Sequence, residues 1–415
     1  MRIRRTLPPA AALLQLSDLL HGLVATFHGA SYTRRLEAEL REYFGAKHVF
    51  LVSSGKAALT LILLALRRFS DRREVLLPAY TCFSVPAAIE RAGLSVRLAD
   101  VDPETFDFDH GSLLKSIGSQ TLCVVSHHLF GIPSDIERAQ QLCSQTGAFL
   151  IEDAAQAMGG RDKGRMLGSR GDVGFFSLGR GKNITAGSGG IIVTNCDRLA
   201  ATLAAEYDRL ASPGITTTLG ELARLVLMSI FIRPSLYWLP AGLPFLRLGE
   251  TRFERDFPMR RMSGMSAGVL RHWRHRLTEA NRIRVAAAAY FASTLRLDSV
   301  AGAAIPYLRL PVLMHSREAR DRVCAIAARR GLGVGRMYPT PINEIAEIKE
   351  RFAGQTFPSA KLIADRLLTL PTHHLLAEAD RRSVRDLLEY GGEHASVNGR
   401  APADDTRRAA CRPWN

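Results

Sequence analysis

The chain has 415 residues, of which 47% are hydrophobic; this content is ample for a sizeable core, and the length predicts one large domain with a smaller one. Lysine and arginine together number 55 against 40 aspartate and glutamate residues, but the basic residues are scattered without aromatic interleaving, which argues against nucleic-acid binding. The six cysteines show neither a C-x-x-C motif nor Cys/His ligand spacing, which argues against a disulfide framework and a metal site and predicts reduced thiols in a cytoplasmic protein.

The first 31 residues are predicted to form an N-terminal arm that ends in an amphipathic helix. Its basic start and the apolar stretch from Leu7 to Leu20 imitate a signal peptide. Pro8, Pro9 and Asp18 interrupt that stretch, however, and no convincing small-residue cleavage site follows it. We therefore expect the arm to dock on the rest of the protein.

Strands and helices alternate from residue 32 onward, which predicts a mostly parallel sheet with helices on both faces. We expect an α/β protein in which residues 32–262 form the large domain, 263–390 a smaller α+β domain and 391–415 a polar, disordered tail. The predicted helices are 32–44, 57–68, 85–92, 133–146, the stretch 263–295, 317–330 and 381–389, and the predicted strands are 48–52, 74–77, 95–99, 122–126, 148–152, 190–194 and 305–312.

An apolar segment at 222–248 is inserted in the large domain. It has the length of a membrane span, but Arg224, Arg233 and three prolines break it, whereas a spanning helix needs about 20 mostly apolar residues. Two interpretations stay open: an insertion that packs on a partner subunit, and a hairpin that contacts a membrane with an aromatic belt at Tyr237 and Trp238. The net charge of +15 fits anionic substrates or an anionic membrane surface, and equally a compositional preference for arginine.

One lysine, Lys182, lies in a glycine-rich stretch that follows an apolar run, and about thirty residues upstream Asp153 directly follows a predicted buried strand. A lysine that can bind an aldehyde and a carboxylate that can keep a pyridine nitrogen protonated are the pair that pyridoxal phosphate (PLP) enzymes need. The pattern therefore predicts a PLP site in which Lys182 binds the cofactor's aldehyde and then moves protons.

The phosphate of such a cofactor needs hydroxyl and backbone N–H donors. Ser177 lies five residues before the lysine. A second candidate is the turn at Ser54, Gly55 and Lys56, where a strand is predicted to pass into a helix whose N-terminal N–H groups are free. Because active sites of open parallel sheets lie beyond the carboxyl ends of the strands, we expect this turn and Asp153 to meet there.

The ordered set of motifs resembles the DegT/DnrJ/EryC1/StrS family of PLP-dependent sugar aminotransferases over roughly residues 32–390. The resemblance implies an aspartate-aminotransferase-like fold of type I, with a large, mostly parallel seven-stranded sheet, and a homodimer in which the partner subunit completes the active site. The matching stretches are 36–66, 74–81, 93–105, 128–131, 152–157, 171–177 leading to Lys182, and 370–373.

The resemblance also implies roles for individual residues. Lys182 is the lysine that binds the cofactor covalently, and Asp153 is the partner of its pyridinium nitrogen. Gln156 resembles the family glutamine near the cofactor's phenolic oxygen, while Ser177 and the backbone of Gly55 and Lys56 are implied to hold the phosphate. Some relatives have histidine in place of the lysine and are dehydratases, so the lysine here favours transamination.

The chain departs from the family around the cofactor. Lys56 follows the phosphate-loop glycine where the family usually has threonine, and its ammonium is expected either to pair with the phosphate or to point to solvent. Cys82 stands where the family has an aromatic residue that stacks on the ring. The ring is therefore expected to be covered by Tyr80, by Phe83 or by the small apolar Cys82 itself.

Further departures concern the partner subunit and the substrate. Met259 stands where the family often has an asparagine that reaches the partner's site, so the adjacent Arg260 is the expected replacement. Ser188 replaces a glutamate, and Asn343 stands at the place of a late histidine in the sugar site.

We therefore expect an aminotransferase that moves an amino group from an amino acid, with L-glutamate as the expected donor, to a nucleotide-linked keto-sugar for a surface polysaccharide or a secondary metabolite. Asn343 and the apolar segment leave two alternatives open: a PLP enzyme with a non-sugar or lipid-linked acceptor, and a catalytically idle scaffold at a membrane assembly. The retained Lys182, Asp153 and Gln156 argue against the scaffold.

Overall fold

The computed structural model describes residues 5–246, 248–249, 251–295 and 304–391, so most of the predicted tail lies outside the described residues. The helices are α1 (Leu16–Phe27), α2 (Gly29–Phe44), α3 (Gly55–Leu66), α4 (Ser84–Arg91), α5 (His110–Ser116), α6 (Ile136–Thr146), α7 (Asp197–Asp208), α8 (Ile215–Phe231), α9 (Trp238–Ala241), α10 (Gly264–Val269), α11 (Trp273–Leu295), α12 (Arg317–Arg330), α13 (Pro358–Arg366) and α14 (Glu378–Gly391). The strands are β1 (His48–Val52), β2 (Glu74–Pro78), β3 (Ser95–Ala99), β4 (Thr121–His127), β5 (Phe149–Asp153), β6 (Arg161–Asp162), β7 (Arg165–Met166), β8 (Val173–Ser177), β9 (Gly190–Thr194), β10 (Arg309–Leu313) and β11 (Leu367–Pro371).

A seven-stranded sheet forms the centre of the large domain, in the order β1-β9-β8-β5-β4-β2-β3. All its strands share one direction except β9, which runs antiparallel to both of its neighbours, β1 and β8. This confirms the predicted mostly parallel sheet of seven strands. β8 itself was not among the predicted strands.

The central strands are apolar along their whole length because helices cover both faces of the sheet. Every residue of β4 and of β9 is buried. α3 is apolar all round, which is typical of a helix enclosed on every side. It packs on β1, β8 and β9 with one side and on α4 and α7 with another, and only three of its twelve residues escape full burial.

The smaller C-terminal region is built on a two-stranded antiparallel sheet. β10 pairs with β11 from Arg309 opposite Pro371 to Leu313 opposite Leu367. α12 packs on α13, α14 and β11, and α11 packs on α14. The N–H of Leu308 donates to the carbonyl of Phe130 at 2.9 Å, which ties this region to the loop that follows β4.

The N-terminal arm docks on the protein before α1 begins. The N–H of Thr6 donates to the carbonyl of Pro234, and the N–H of Leu7 donates to the carbonyl of Gly331, both at 2.8 Å. The side chain of Leu7 is buried. α1 and α2 follow with a break at His28, so α2 begins three residues before the predicted helix at 32.

The apolar segment 222–248 contains the end of α8, a break around Arg233 and Pro234, and the short helix α9. Within the described part of the chain, no helix is both long enough and apolar enough to cross a membrane. Several of its large apolar side chains are exposed, among them Leu227 and Phe245.

Candidate active site

A pocket of about 260 Å³ lies where the carboxyl ends of the parallel strands meet the start of α3. Eight of the residues predicted from the sequence line it, and they come from four separate stretches of chain. These eight are Ser54, Gly55, Lys56, Cys82, Asp153, Gln156, Ser177 and Lys182. Three other predicted residues, Tyr80, Phe83 and Arg260, lie outside its wall.

Asp153 is the last residue of β5 and is almost fully buried. Its Oδ1 accepts a hydrogen bond from the N–H of Ala155 at 3.0 Å. Burial raises the pKa of this carboxyl, although the N–H of Ala155 and the charge of Lys182 act in the opposite direction. A protonated pyridine nitrogen beside Asp153 would stabilise the ionised carboxylate, so this side chain fits the predicted role.

The neighbouring Glu152 has a structural part instead, because successive strand residues point to opposite faces. Its carboxylate accepts hydrogen bonds from His128 Nε2 at 2.9 Å and from the N–H groups of Gly168, Arg170 and Gly171. Burial alone would raise the pKa of Glu152, but these donors outweigh it and lower the pKa. The fully bonded Glu152 thereby fixes the turn that leads into β8.

Lys182 lies in the loop between β8 and β9. Leu178 closes the base of this loop, since its N–H donates to the carbonyl of Gly189 at 2.8 Å and its carbonyl accepts the hydroxyl of Thr185 at 3.0 Å. Gly181, directly before the lysine, has φ +70°, a left-handed conformation that favours glycine. The glycines that marked this stretch in the sequence therefore shape the turn that brings Lys182 to the pocket.

The start of α3 forms a cradle of hydrogen-bond donors. Ser54 caps the helix by accepting the N–H of Ala57 at 3.1 Å. Gly55 and Lys56 belong to the first turn, where N–H groups have no acceptor within the helix. A side chain on Gly55 would approach Cβ of Ser177 to 3.0 Å, so glycine keeps the space beside that hydroxyl open. This combination suits a phosphate.

The ammonium of Lys56 has protein neighbours, and its predicted pairing with a phosphate stays a prediction. Its Nζ lies 3.5 Å from Oε2 of Glu254 and 4.7 Å from the centre of the Phe257 ring. It therefore has a carboxylate and an aromatic face as neighbours, and its backbone N–H is the group placed for a phosphate.

Cys82 is the one of the three candidate ring-covering residues that lines the pocket. Tyr80 is buried, and its hydroxyl donates to the carbonyl of Tyr338 at 3.3 Å. Phe83 stacks on the ring of Tyr338 with 6.4 Å between ring centres. The geometry thus favours Cys82 as the residue beside a bound ring, with both aromatic side chains packed against Tyr338.

Tyr338 also holds Gln156, and the sequence patterns did not identify it as a site residue. Nε2 of Gln156 donates to the Tyr338 hydroxyl at 2.8 Å, and Oε1 accepts the N–H of Phe130 at 3.1 Å. Burial raises the pKa of the Tyr338 hydroxyl, which stays neutral. The two bonds fix the amide orientation of Gln156 at the pocket wall.

His127 and Thr81 are two further lining residues that the sequence patterns missed. Nε2 of His127 donates to the carbonyl of Phe106 at 2.8 Å, so Nδ1 of the neutral ring accepts the hydroxyl of Thr81 at 3.0 Å. Burial lowers the pKa of His127 to about 4. Thr81 follows Pro78-Ala79-Tyr80 in a stretch that matches the family. This position in the motif could have identified Thr81 as a pocket residue.

Arg260 and Asn343 lie away from the pocket wall. The N–H of Arg260 donates to Oγ of Ser53 at 3.3 Å, and its Nη1 donates to Oγ1 of Thr217 at 3.4 Å. The amide oxygen of Asn343 is buried and has no hydrogen-bond partner among the described residues. The predicted contact of Arg260 with a partner subunit and the position of Asn343 in a sugar site therefore stay predictions.

The pocket as a whole fits PLP. It combines a lysine, a buried carboxylate whose ionised form needs a cationic neighbour, and a cradle of N–H and hydroxyl donors. Each group lies at the carboxyl end of a parallel strand or on the turn that follows it. Among the described residues, no cluster of His, Cys, Asp and Glu side chains is arranged to bind a metal ion.

Comparison with known proteins shows a family match and a similar curated protein. The sequence pattern that defines the DegT/DnrJ/EryC1/StrS aminotransferase family matches residues 15–225 and 250–389. GDP-perosamine synthase of Vibrio cholerae is 34% identical over 166 residues, which are 40% of this chain and 45% of that protein, so the chain matches less than half the length of this curated relative.

Solved structures align over much more of the chain. Helicobacter pylori PseC, an aminotransferase involved in the biosynthesis of pseudoaminic acid, has a TM-score of 0.75 at 16% identity and covers 93% of this chain and 99% of its own. E. coli GDP-4-keto-6-deoxy-D-mannose-3-dehydratase with bound hydrated PLP has a TM-score of 0.71 at 17% identity and covers 93% and 100%. These likenesses confirm the predicted aspartate-aminotransferase-like fold of type I.

Proposed function

The chain belongs to the DegT/DnrJ/EryC1/StrS aminotransferase family, a PLP-dependent family, and on that premise we propose that it is an aminotransferase that moves an amino group from L-glutamate to a nucleotide-linked keto-sugar. The observation that carries this proposal is the meeting of Lys182, Asp153 and the start of α3 in one pocket. Residues that lie up to 128 positions apart in the sequence are gathered there with the chemistry that a transaminase requires.

When bound, PLP supplies an electron sink that stabilises the negative charge left on carbon when a proton is removed beside an amino group. Lys182 is the residue that would bind the cofactor's aldehyde, and its Nζ, once released by the substrate amine, would take up and return the proton. Asp153 would keep the proton on the ring nitrogen. Ser177 and the N–H groups of Gly55 and Lys56 would hold the phosphate, and Cys82 would lie on the same pocket wall.

The similarity to GDP-perosamine synthase supports a keto-sugar as acceptor, and the net charge of +15 suits a nucleotide diphosphate. The product would serve a surface polysaccharide or a secondary metabolite. A PLP enzyme with a non-sugar or lipid-linked acceptor is the second candidate, favoured by the unpartnered amide oxygen of Asn343 and by the exposed apolar side chains of the 222–248 segment. A catalytically idle scaffold is disfavoured because the pocket retains its lysine and its carboxylate.

The test of the acceptor uses L-glutamate labelled with 15N in its amino group. The PLP-loaded protein is incubated with this donor and with GDP-linked or UDP-linked 4-keto-6-deoxy sugars, and products are followed by mass spectrometry. The proposal expects a labelled amino sugar that the Lys182→Ala variant does not form. If label leaves glutamate but enters no keto-sugar, the second candidate is favoured.

We also propose a cytoplasmic homodimer whose two active sites share residues. α1 and α8 pack on each other, and both carry large exposed apolar side chains. These are Leu16, Leu20, Leu23, Val24, Phe27, Ile215, Leu219, Leu227 and Ile230. Exposed apolar side chains concentrated on two packed helices, here called the apolar face, are typical of an interaction surface. We propose that a second copy covers it, and that Arg260, which contacts Thr217 at the start of α8, reaches the partner's pocket in that dimer.

Light scattering tests the dimer. Leu20→Glu places a charge in the apolar face and is expected to give a monomer, whereas Leu114→Glu, on the separate helix α5, leaves the dimer intact. A wild-type monomer would contradict this proposal and would favour the remaining occupant of the face, a membrane surface contacted through 222–248. Co-sedimentation with phosphatidylglycerol vesicles then tests that contact, with Phe245→Ser as the variant expected to release the protein.

A further inference from the structure

Arg284, on α11, is fully buried, yet it forms no ion pair among the described residues. Its guanidinium donates to backbone carbonyls instead: Nη1 lies 3.1 Å from the oxygen of Asn183, and Nη2 lies 3.3 Å from the oxygen of Lys182 and 3.5 Å from that of Ala11. Nη1 also lies 3.2 Å from Oδ1 of Asn281. One buried side chain thus contacts both the lysine loop and the N-terminal arm.

A guanidinium without a carboxylate is an expensive group to bury, because desolvation opposes its charge. Burial lowers the pKa of Arg284 to about 10, so the side chain is still charged at neutral pH. Arg276, two turns earlier on α11, is equally buried but has a carboxylate partner, since its Nη1 lies 3.3 Å from Oδ2 of Asp18. A role in folding alone therefore explains Arg276 better than Arg284.

The lysine loop needs an anchor of this kind. Residues 179–190 include five glycines, which allow many backbone conformations. At the tip of the loop the N–H of Lys182 is 3.4 Å from the carbonyl of Gly179, a long hydrogen bond. Charge-assisted hydrogen bonds from Arg284 to the two carbonyls at 182 and 183 add to that bond and hold the backbone of the loop at the lysine.

The N-terminal arm is held in register with the loop by other buried donors. Nε2 of His373 donates to the carbonyl of Pro8 at 2.8 Å, and Nη1 of Arg276 donates to the carbonyl of Leu13 at 3.1 Å. Between these two points, the carbonyl of Ala11 meets Arg284. The methyl group of Ala10 lies 3.2 Å from the position that a side chain on Gly181 would take, so arm and loop are in direct contact.

We propose that Arg284 is a positioning residue for Lys182, and that the docked N-terminal arm is part of the support that keeps it in place. Arg284 fixes the backbone of the lysine loop, so that Nζ of Lys182 stays in the pocket, and the arm accepts one further hydrogen bond from Nη2 through the carbonyl of Ala11. The proposal rests on the proposed function of Lys182 for its catalytic meaning, but the mechanical coupling is a property of the folded chain alone.

The first test is hydrogen exchange of the peptide 178–190 without added cofactor. Arg284→Met removes every hydrogen-bond donor of this side chain, and Arg284→Lys keeps the charge with a single donor group. Removal of residues 2–12 deletes the part of the arm that contacts Arg284. All three are expected to speed exchange in the loop by about tenfold, the effect of losing one or two hydrogen bonds. Arg276→Met loses one contact with the arm, at Leu13, but leaves the bonds from Arg284 to the loop, so it is expected to speed exchange less than the Arg284 variants. Arg282→Met, on the exposed side of α11, serves as the matched control.

The second test uses the protein loaded with PLP. The Arg284 variants are expected to release PLP about tenfold faster and to shift the pH midpoint of the visible absorption band, because a nearby positive charge has moved or been lost. A structural role would lower the melting temperature of the Arg276 and Arg284 variants alike without moving that midpoint. Arg284→Lys keeps the measurement available if Arg284→Met does not fold.

Equal loop exchange in the Arg284 and Arg276 variants would overturn the positioning role. A wild-type protein that takes up no PLP would instead contradict the proposed function, and the exchange measurement would still decide whether Arg284 and the arm hold the loop.

Discussion

Two adjacent carboxylates at the end of β5 show how the surroundings of a residue set its chemistry. Glu152 is saturated by His128 and by backbone N–H groups, which lower its pKa, while Asp153 accepts one backbone N–H and has its pKa raised by burial. From the sequence the two are a Glu-Asp pair, and only the alternation of side chains along a strand separates them. In the structure, Glu152 stabilises the fold through its hydrogen bonds, whereas Asp153 is left available to bind a ligand.

Substitution of each pocket lysine distinguishes the one that binds PLP covalently, Lys182, from the one that pairs with a carboxylate, Lys56. Lys182→Ala is expected to abolish the visible absorption of bound PLP. Lys56, the other lysine in the pocket wall, pairs with Glu254 and is not expected to replace it. Lys56→Ala removes an ammonium that faces Glu254, and it is expected to keep the band and to weaken PLP binding by less than about tenfold. Absorption spectra of the two dialysed proteins give the result, and a band that survives in Lys182→Ala would contradict the assignment.

Asp153→Asn removes the charge at the ring nitrogen while it preserves the size of the side chain. We expect PLP to remain bound through its phosphate contacts but kcat for transamination to fall by roughly 100-fold or more, since the ring nitrogen loses the group that keeps it protonated. Glu152→Gln is the matched substitution, and it is expected to act on the melting temperature. Steady-state kinetics and thermal unfolding of both variants distinguish these effects, and an Asp153→Asn enzyme with wild-type kcat would refute the role.

At the scale of elements, α3 joins the core to the site. Its apolar body packs on the sheet, and its first turn offers N–H groups to the pocket. The alternation of strand and helix patterns in the sequence predicted four elements with their observed bounds: β1, β3, β9 and α12. Each of them lies between clear turn or cap residues. β8 and β11 were missed, and each runs directly into a segment whose conformation depends on distant contacts.

Ser54→Ala tests the dual role of the start of α3. The loss of its cap on Ala57 is expected to lower the free energy of unfolding by about 1 kcal/mol. Ser316, which caps α12 away from the pocket by accepting the N–H of Ala319, gives the control, because Ser316→Ala is expected to lose a similar amount. Only Ser54→Ala is expected to weaken PLP binding as well. Urea unfolding and PLP titration measure the two quantities, and equal PLP affinity in both variants would argue against the cradle.

At the scale of the whole molecule, the site depends on contacts that no local pattern contains. Tyr338 holds Gln156 across 182 positions of sequence, and Arg284 holds the lysine loop across 102. Motifs therefore predicted eight of the residues that line the pocket, but not the residues that support them. The N-terminal arm was expected to dock, yet its place against the lysine loop follows only from the packed structure.

Buried neutral histidines make the folded chain sensitive to acid. Burial lowers the pKa of His127 to about 4 and that of His373 to about 3, whereas an unfolded histidine titrates near 6.5. Below pH 6.5 the unfolded chain therefore binds protons that the folded chain does not, and stability falls as the pH drops toward 4. Each histidine is expected to contribute about 1 kcal/mol per pH unit to this slope.

Urea unfolding at pH 7 and pH 5 measures the slope. His373→Gln, whose amide can still donate to the carbonyl of Pro8, is expected to reduce it, and the exposed His315→Gln is expected to leave it unchanged. Stability that is constant or rises between pH 7 and pH 5 in the wild type would contradict the buried neutral state of these rings.

The central claim, that the pocket performs transamination, is tested most directly by a spectral titration of the PLP-loaded protein with L-glutamate. We predict that the visible band of the lysine-bound cofactor declines as glutamate is added and that 2-oxoglutarate appears in equal amount. A band that persists at saturating glutamate, with PLP confirmed as bound and no 2-oxoglutarate released, would contradict the claim.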